Sequence, residues 1–300
     1  MSNLVLLLGC LLAGLLLRQI PGFPSEAHRG LNAFIIYLAL PALTLLYIPQ
    51  LELAWALAYP IAMSWIVFLV ALGLFMALGR WLGWDTRTVG CLVLCCGLGN
   101  TSFVGFPLIE QFYGEAGLRY AILCDQPGAF LVLATLGIAA VGYFTTGRIE
   151  GRAIGRKVIT FPPFIAFVLS LLIAPFGGAP NWLTPTLEAL GGCLTPLALV
   201  SIGLQLRIRA RELQTRPLLV GLGYKLLLAP ALIWAIYVGL AGQQGLGIQV
   251  SILEAAMAPM ITPSIIAMEN NLNPPLASLF VGLGIPISLG TVFGWHALVG

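Results

Sequence analysis

Two runs in this chain place helix-breaking residues and neutral hydrogen-bonding side chains in the middle of otherwise apolar sequence. The first is Gly97-Leu98-Gly99-Asn100-Thr101-Ser102-Phe103-Val104-Gly105-Phe106-Pro107, and the second is Ala255-Ala256-Met257-Ala258-Pro259-Met260-Ile261-Thr262-Pro263-Ser264. Proline removes an amide donor and clashes with the preceding turn, and glycine lowers the cost of unwinding. Both runs therefore predict interrupted helices with backbone amides and carbonyls set free. A helix that restarts after such a break presents about half a positive charge and open amides at its N-terminus, which suits an anion. Asn100, Thr101 and Ser102 beside Pro107, and Thr262 and Ser264 beside Pro263, add neutral donors for a carboxylate.

Ionisable residues inside apolar runs need a reason, because insertion of one costs about 2.5 to 3.5 kcal/mol at mid-membrane. Asp125 and Gln126, just before Pro127, read as second-layer substrate residues, and Asp125 also as a proton-binding point. Lys225 and Glu254 join Asp125 as candidates for proton or charge coupling. The purely structural alternative is a buried ion pair of Lys225 with Glu254 or with Asp125. Glu110, one turn after the first break, reads as interfacial. The six cysteines at 10, 91, 95, 96, 124 and 193 form no paired framework with histidines at zinc spacing, so no metal site and no cofactor are expected.

The elements that must position these residues follow from composition. The chain has 300 residues, 59% hydrophobic and only 8% charged, with mean hydropathy +0.99. A soluble domain carries roughly 25% charged residues, so a soluble enzyme is excluded. The net charge of +3 is too weak and scattered for a nucleic-acid footprint. Apolar runs of spanning length lie at about 4–20, 30–48, 53–79, 88–112, 118–143, 158–176, 185–206, 217–240, 246–269 and 274–299. They are apolar all round rather than alternating, which predicts an all-α polytopic membrane protein of ten helices and not a barrel. The first run reads as a helix rather than a signal peptide, since Met1-Ser2-Asn3 is not basic.

Twelve of the fourteen basic residues fall in the loops after runs 1, 3, 5 and 7; Arg119 lies on the opposite side and Lys225 within run 8. By the positive-inside rule both termini are expected on the periplasmic or extracellular side of the plasma (inner) membrane. The polar linker 145–157 divides the chain into halves 1–144 and 158–300 of five runs each. Pro41 and Pro196, Pro107 and Pro263, and Pro127 and Pro286 stand 155, 156 and 159 residues apart in corresponding runs. Five is odd, so the second half enters the bilayer inverted. An inverted 5+5 repeat with mirrored breaks in helices 4 and 9 gives a site that can open to either side, which argues transport.

The run Gly99 to Leu108, the Tyr113-Gly114 turn and Asp125-Gln126 after it resemble the auxin efflux carrier family of permeases, over essentially the whole chain. The resemblance implies that helices 4 and 9 cross at prolines, here Pro107 and Pro263. It also implies a scaffold of helices 1, 2, 6 and 7, a moving part of helices 3 to 5 and 8 to 10, elevator-like alternating access, small organic anions as substrates, and a homodimer. Plant carriers place asparagine directly after each crossover proline, whereas Leu108 and Ser264 stand here, which argues against auxin as substrate. The expectation is a secondary transporter of a small mono- or dicarboxylate in the lipid bilayer, with H+ or Na+ as coupling ion. The alternative is a sodium/proton antiporter of related fold, which would want adjacent carboxylates at the crossing. An integral-membrane enzyme would need an Asp-rich metal motif or a catalytic histidine at one face, and neither is visible.

Overall fold

The computed structural model describes residues 2–51, 54–147, 159–206 and 214–300, and among them the chain is helical, with no strand beyond one isolated bridge. Among the described residues six helical runs are long and apolar enough to cross a membrane: Ala27–Gln50, Trp55–Leu82, Thr101–Thr145, Thr184–Gln205, Thr215–Leu240 and Pro274–Val299. Four shorter apolar helices among them, Leu8–Leu17, Thr86–Gly97, Pro162–Phe176 and Leu246–Ala255, overlap the expected runs 4–20, 88–112, 158–176 and 246–269. The 45-residue run Thr101–Thr145 turns at Gly114, whose φ of +63° is open to glycine at little cost. Of the expected linker 145–157, residues 148–157 lie outside the described residues, as do Arg207, Arg209 and Arg211 of the basic loops.

The helices pack as two compact units, each drawn from both halves of the sequence. The first comprises Met1–Ala54, Ser102–Ile122 and Ile159–Leu206; the second comprises Trp55–Thr101, Leu123–Val158 and Arg207–Gly300. Runs 1, 2, 6 and 7 lie in the first unit and runs 3, 8, 9 and 10 in the second, while 102–122 belongs with the first unit.

In the first unit, helices Ser2–Leu17 and Leu194–Gln205 approach at Gly14 and Gly203. A Cβ on Gly14 would strike the Val200 carbonyl, and one on Gly203 the Leu11 carbonyl. Between apolar helices in lipid such close packing replaces the missing hydrophobic drive.

In the second unit the 25-residue helix Ala58–Leu82 is the spine. Of the widened, π-helical turns tied to it, two carry charged residues. Ser64 Oγ donates to the Cys124 carbonyl at 3.1 Å and Trp65 Nε1 to the Pro127 carbonyl at 3.2 Å, holding the turn Cys124–Phe130. Tyr224 of the turn Tyr224–Leu228 donates its hydroxyl to the Val67 carbonyl at 2.5 Å. Turns of this kind interrupt the regular ladder and recur at functional positions. Here they carry Asp125 and Lys225.

The start of helix Thr86–Gly97 is fixed by Asp85, which accepts from the Thr88 amide at 2.9 Å and the Thr88 hydroxyl at 2.8 Å. Asn273, left-handed at φ +48°, caps Pro274–Val299 and donates to Thr88 Oγ1 and Gln214 Oε1, each at 2.8 Å. Partial burial pushes the Asp85 carboxyl up, but the hydrogen bonds from Thr88 and Arg87 outweigh it and hold the group below its ordinary value. Its stabilisation is therefore present above the unfolded carboxylate range and is lost as pH falls through the depressed folded value. Asp85→Ala is expected to cost about 1 kcal/mol at neutral pH, read from the unfolding midpoint in detergent. The gap from the wild type should close on acidification below about pH 4; a gap that persists unchanged there would show that the carboxylate is not the capping group.

Candidate functional site

The two expected breaks meet within the second unit. Helix Thr86–Gly97 gives way at Leu98 to extended backbone (φ −123°, ψ 132°), and helix Leu246–Ala255 ends at Ala256. Met260, also extended, leads into helix Ile261–Glu269. Between these ends the two segments run antiparallel: the Asn100 amide donates to the Ala258 carbonyl at 2.8 Å, and the Met260 amide donates to the Leu98 carbonyl at 3.1 Å. The pair they bracket is Gly99 and Pro259. In an antiparallel pair of this register the facing residues exchange no hydrogen bond with each other. Proline, which has no amide hydrogen, therefore fits at 259 without loss. Glycine fits closely at 99, where a Cβ would stand 2.9 Å from Lys225 Nζ and 3.1 Å from the Glu254 carbonyl. Helix Pro274–Val299 closes over Pro259 at Gly284, where a Cβ would lie 2.7 Å from the proline ring.

A polar set surrounds this crossing, all of it in the second unit and all of it buried: Asn100, Thr101, Asp125, Gln126, Lys225 and Glu254. Thr101 Oγ1 donates to Asp125 Oδ1 at 2.6 Å. Lys225 Nζ donates to the Ala255 carbonyl at 2.7 Å, the last residue of a broken helix, where the dipole end is negative. The expected ion-pair alternative is thus not formed: the ammonium is spent on a helix end, with one carbonyl freed by the break as its partner. Neither oxygen of the Glu254 carboxyl has a hydrogen-bond partner, and the residue is 0% exposed. Asp125 and Lys225 are the charged groups that act on it.

The other expected residues divide. Pro263 and Ser264 are buried in the second unit, but the Ser264 hydroxyl is turned to its own helix, donating to the Met260 carbonyl at 2.8 Å, and to Cys95 Sγ at 3.4 Å. Thr262, one residue earlier, is exposed. Ser102 and Pro107 are buried and belong to the first unit. The paired residues are Gly99 and Pro259; Pro107 lies inside the helical run that begins at Thr101, and Pro263 in the first turn of the helix Ile261–Glu269. The first turn is where proline is tolerated, since the amides there lack helical partners anyway. Gly99 and Pro259 stood inside the two quoted runs, but their pairing depends on a register no single residue type announces.

Glu110 is engaged within the first unit. Its Oε2 accepts from Thr195 Oγ1 at 2.6 Å in the first unit, on the wall of a cavity of about 350 Å³ that also holds Tyr47, Glu115 and Glu188. Three carboxylates make that cavity hostile to an anion. Among the described residues no group of three or more His, Cys, Asp or Glu side chains converges as a metal site.

The sequence profile of the "Membrane transport protein" family matches residues 1–142 and 150–296. Among curated proteins the chain is 27% identical over 290 residues to an "Uncharacterized transporter" of Methanothermobacter thermautotrophicus, covering 96% of this chain and 94% of that protein. It is 26% identical over 291 residues to an uncharacterized transporter of Methanocaldococcus jannaschii, with 93% of each chain covered. It is 28% identical over 305 residues to a "Putative malonate transporter" of Rhizobium meliloti, covering 97% of this chain and 93% of that one.

The crossing generates a stability prediction. Gly99→Val forces a side chain between the Lys225 ammonium and the Glu254 carbonyl and should lower stability by about 1–3 kcal/mol, measured as the unfolding midpoint in detergent. An unchanged midpoint would mean that the close approach at Gly99 is not a constraint on the fold.

Proposed function

Because the chain belongs to the membrane transport protein family, that of the auxin efflux carrier permeases, we propose that it is a secondary transporter of a small organic anion, a mono- or dicarboxylate, bound at the Gly99·Pro259 crossing. Membership makes it a multi-pass membrane transport protein and not an enzyme. The proposal adds ten spans in an inverted 5+5 repeat, an inner-membrane location with both termini outside, homodimerisation and an elevator-type movement that exposes the crossing to either side in turn.

The observation that carries the reading is the buried polar set around the break. In a membrane, freed backbone groups and ionisable side chains are tolerated where they line a protein-enclosed path, and this chain gathers both in one place. The reciprocal hydrogen bonding supports the inverted-repeat part, since each segment donates once and accepts once across Gly99 and Pro259. Asn100, at the end of one extended segment, is the substrate donor; Thr101, whose hydroxyl hydrogen goes to Asp125, holds that carboxylate, and Asp125 and Gln126 form the layer behind. Pro263 and Ser264 shape the restart of the second half-helix, with Thr262 presented on its outer side, and Ser102 and Pro107 do the same for the first. The malonate named for the Rhizobium relative makes a dicarboxylate the first substrate to try.

One observation favours the sodium/proton exchanger as second reading. Asp125 and Glu254, far apart in sequence, are electrostatic neighbours at the crossing. Purified protein in proteoliposomes separates the two. Saturable uptake of labelled malonate or a related carboxylate is expected, reduced tenfold or more by Asn100→Ala with Thr101→Val in folded protein. Silence to every carboxylate, with sodium-dependent proton flux instead, would replace the anion reading by the exchanger.

A further inference from the structure

We propose that Glu254 holds one proton when the anion is bound, so that the anion and the proton occupy the crossing together; this rests on the anion reading above and names its coupling ion. Three ionisable side chains meet at the crossing, and two are already committed. Asp125 accepts a hydrogen bond from Thr101 at 2.6 Å, which the ionised carboxylate takes well. Lys225 holds the end of helix Leu246–Ala255 through the Ala255 carbonyl at 2.7 Å. Glu254 alone has neither carboxyl oxygen hydrogen-bonded, at zero exposure. An ionised carboxylate so placed has lost its water and gained no donor, whereas the protonated acid carries no charge to desolvate.

Charge counting links this proton to the substrate. With Asp125 and Lys225 ionised and Glu254 protonated, the three side chains sum to zero. With Glu254 ionised they sum to minus one, beside a site that must receive an anion in surroundings of low dielectric. Protonation of Glu254 therefore favours the anion, and by reciprocity the anion favours the proton. When the site opens to water and the anion leaves, the carboxyl releases its proton to that water and becomes a hydrated carboxylate. The other titratable group facing Glu254 is Cys124, on the turn that carries Asp125. The helices packed on the same half-helix, Ala58–Leu82, Ala229–Trp234 and Pro274–Val299, bring Tyr59, Arg80 and His296, each near a helix end.

The test measures malonate binding to the purified full-length protein in detergent at a series of pH values above neutrality, where malonate itself no longer titrates. The wild type should bind more weakly as pH rises, approaching a tenfold loss per pH unit, the slope of one coupled proton. Glu254→Gln, a neutral side chain of the same shape, should keep the acid-side affinity across the whole series. Asp125→Asn should retain the wild-type slope whatever its affinity. Glu254→Gln with the wild-type pH dependence, a wild type whose affinity is flat with pH, or an affinity that follows sodium instead of pH would each overturn the proton at Glu254 while leaving the anion site standing. A wild type that binds no carboxylate at any pH would overturn the anion reading and this inference with it. Should Glu254→Gln fail to fold, the flat or sloping wild-type curve and the Asp125→Asn slope decide the matter.

Discussion

Two hydrogen bonds between backbone segments hold the crossing of the second unit in place: Asn100 to Ala258, and Met260 to Leu98. Each belongs to a stretch that has left its helix, and a chain passing through lipid has no water with which to satisfy the groups so released. Either break alone would strand amides and carbonyls at a cost of about 1–3 kcal/mol apiece. Together each break supplies the partner that the other lacks. The local sequence follows from that pairing: glycine where Lys225 passes, and proline where no amide hydrogen is wanted. Gly284 stands where the last helix must come close.

The ionisable residues are distributed by the same constraint. Lys225 neutralises the end of a helix stopped at Ala255, and its turn is anchored through Tyr224 to helix Ala58–Leu82. Asp125 lies in a turn anchored to that helix through Ser64 and Trp65, and reaches Thr101 beside the crossing. A single long helix thus sets the distance between the two charged turns and the paired segments. Glu254 is the group left over, and that surplus gives the site a charge state that can change. The acidic cavity at Glu110, Glu115 and Glu188, in the first unit, has the wrong sign for the same ligand.

Much of this was legible in the residues themselves. The apolar runs and their punctuation anticipate the helices, including the turn at Gly114 and the interruptions after Gly97 and Ala255. Asp125, Lys225 and Glu254 announce themselves as charges in apolar sequence, and all three do come to one place. What could not be read is register and partner. The proline at 263 attracts attention as a breaker, yet in the fold it stands in a helix's first turn, a role proline fills equally well, and Pro107 sits inside the run Thr101–Thr145. Lys225 invites pairing with a carboxylate, but the carbonyl that claims it exists only because the neighbouring helix stops there. Thr262 and Ser264 share a run with Pro263, and helical geometry turns one outward and the other inward. The two units interleave both halves of the chain, and contacts between distant segments leave no mark in local pattern.

The most direct test of the account is an experimental structure of the protein with saturating malonate. The account predicts density for the carboxylate within hydrogen-bonding distance of Asn100, beside an intact Gly99·Pro259 pair, with Lys225 still on the Ala255 carbonyl. Malonate bound in the cavity lined by Glu110, Glu115 and Glu188, or segments 98–100 and 258–260 found unpaired, would contradict it.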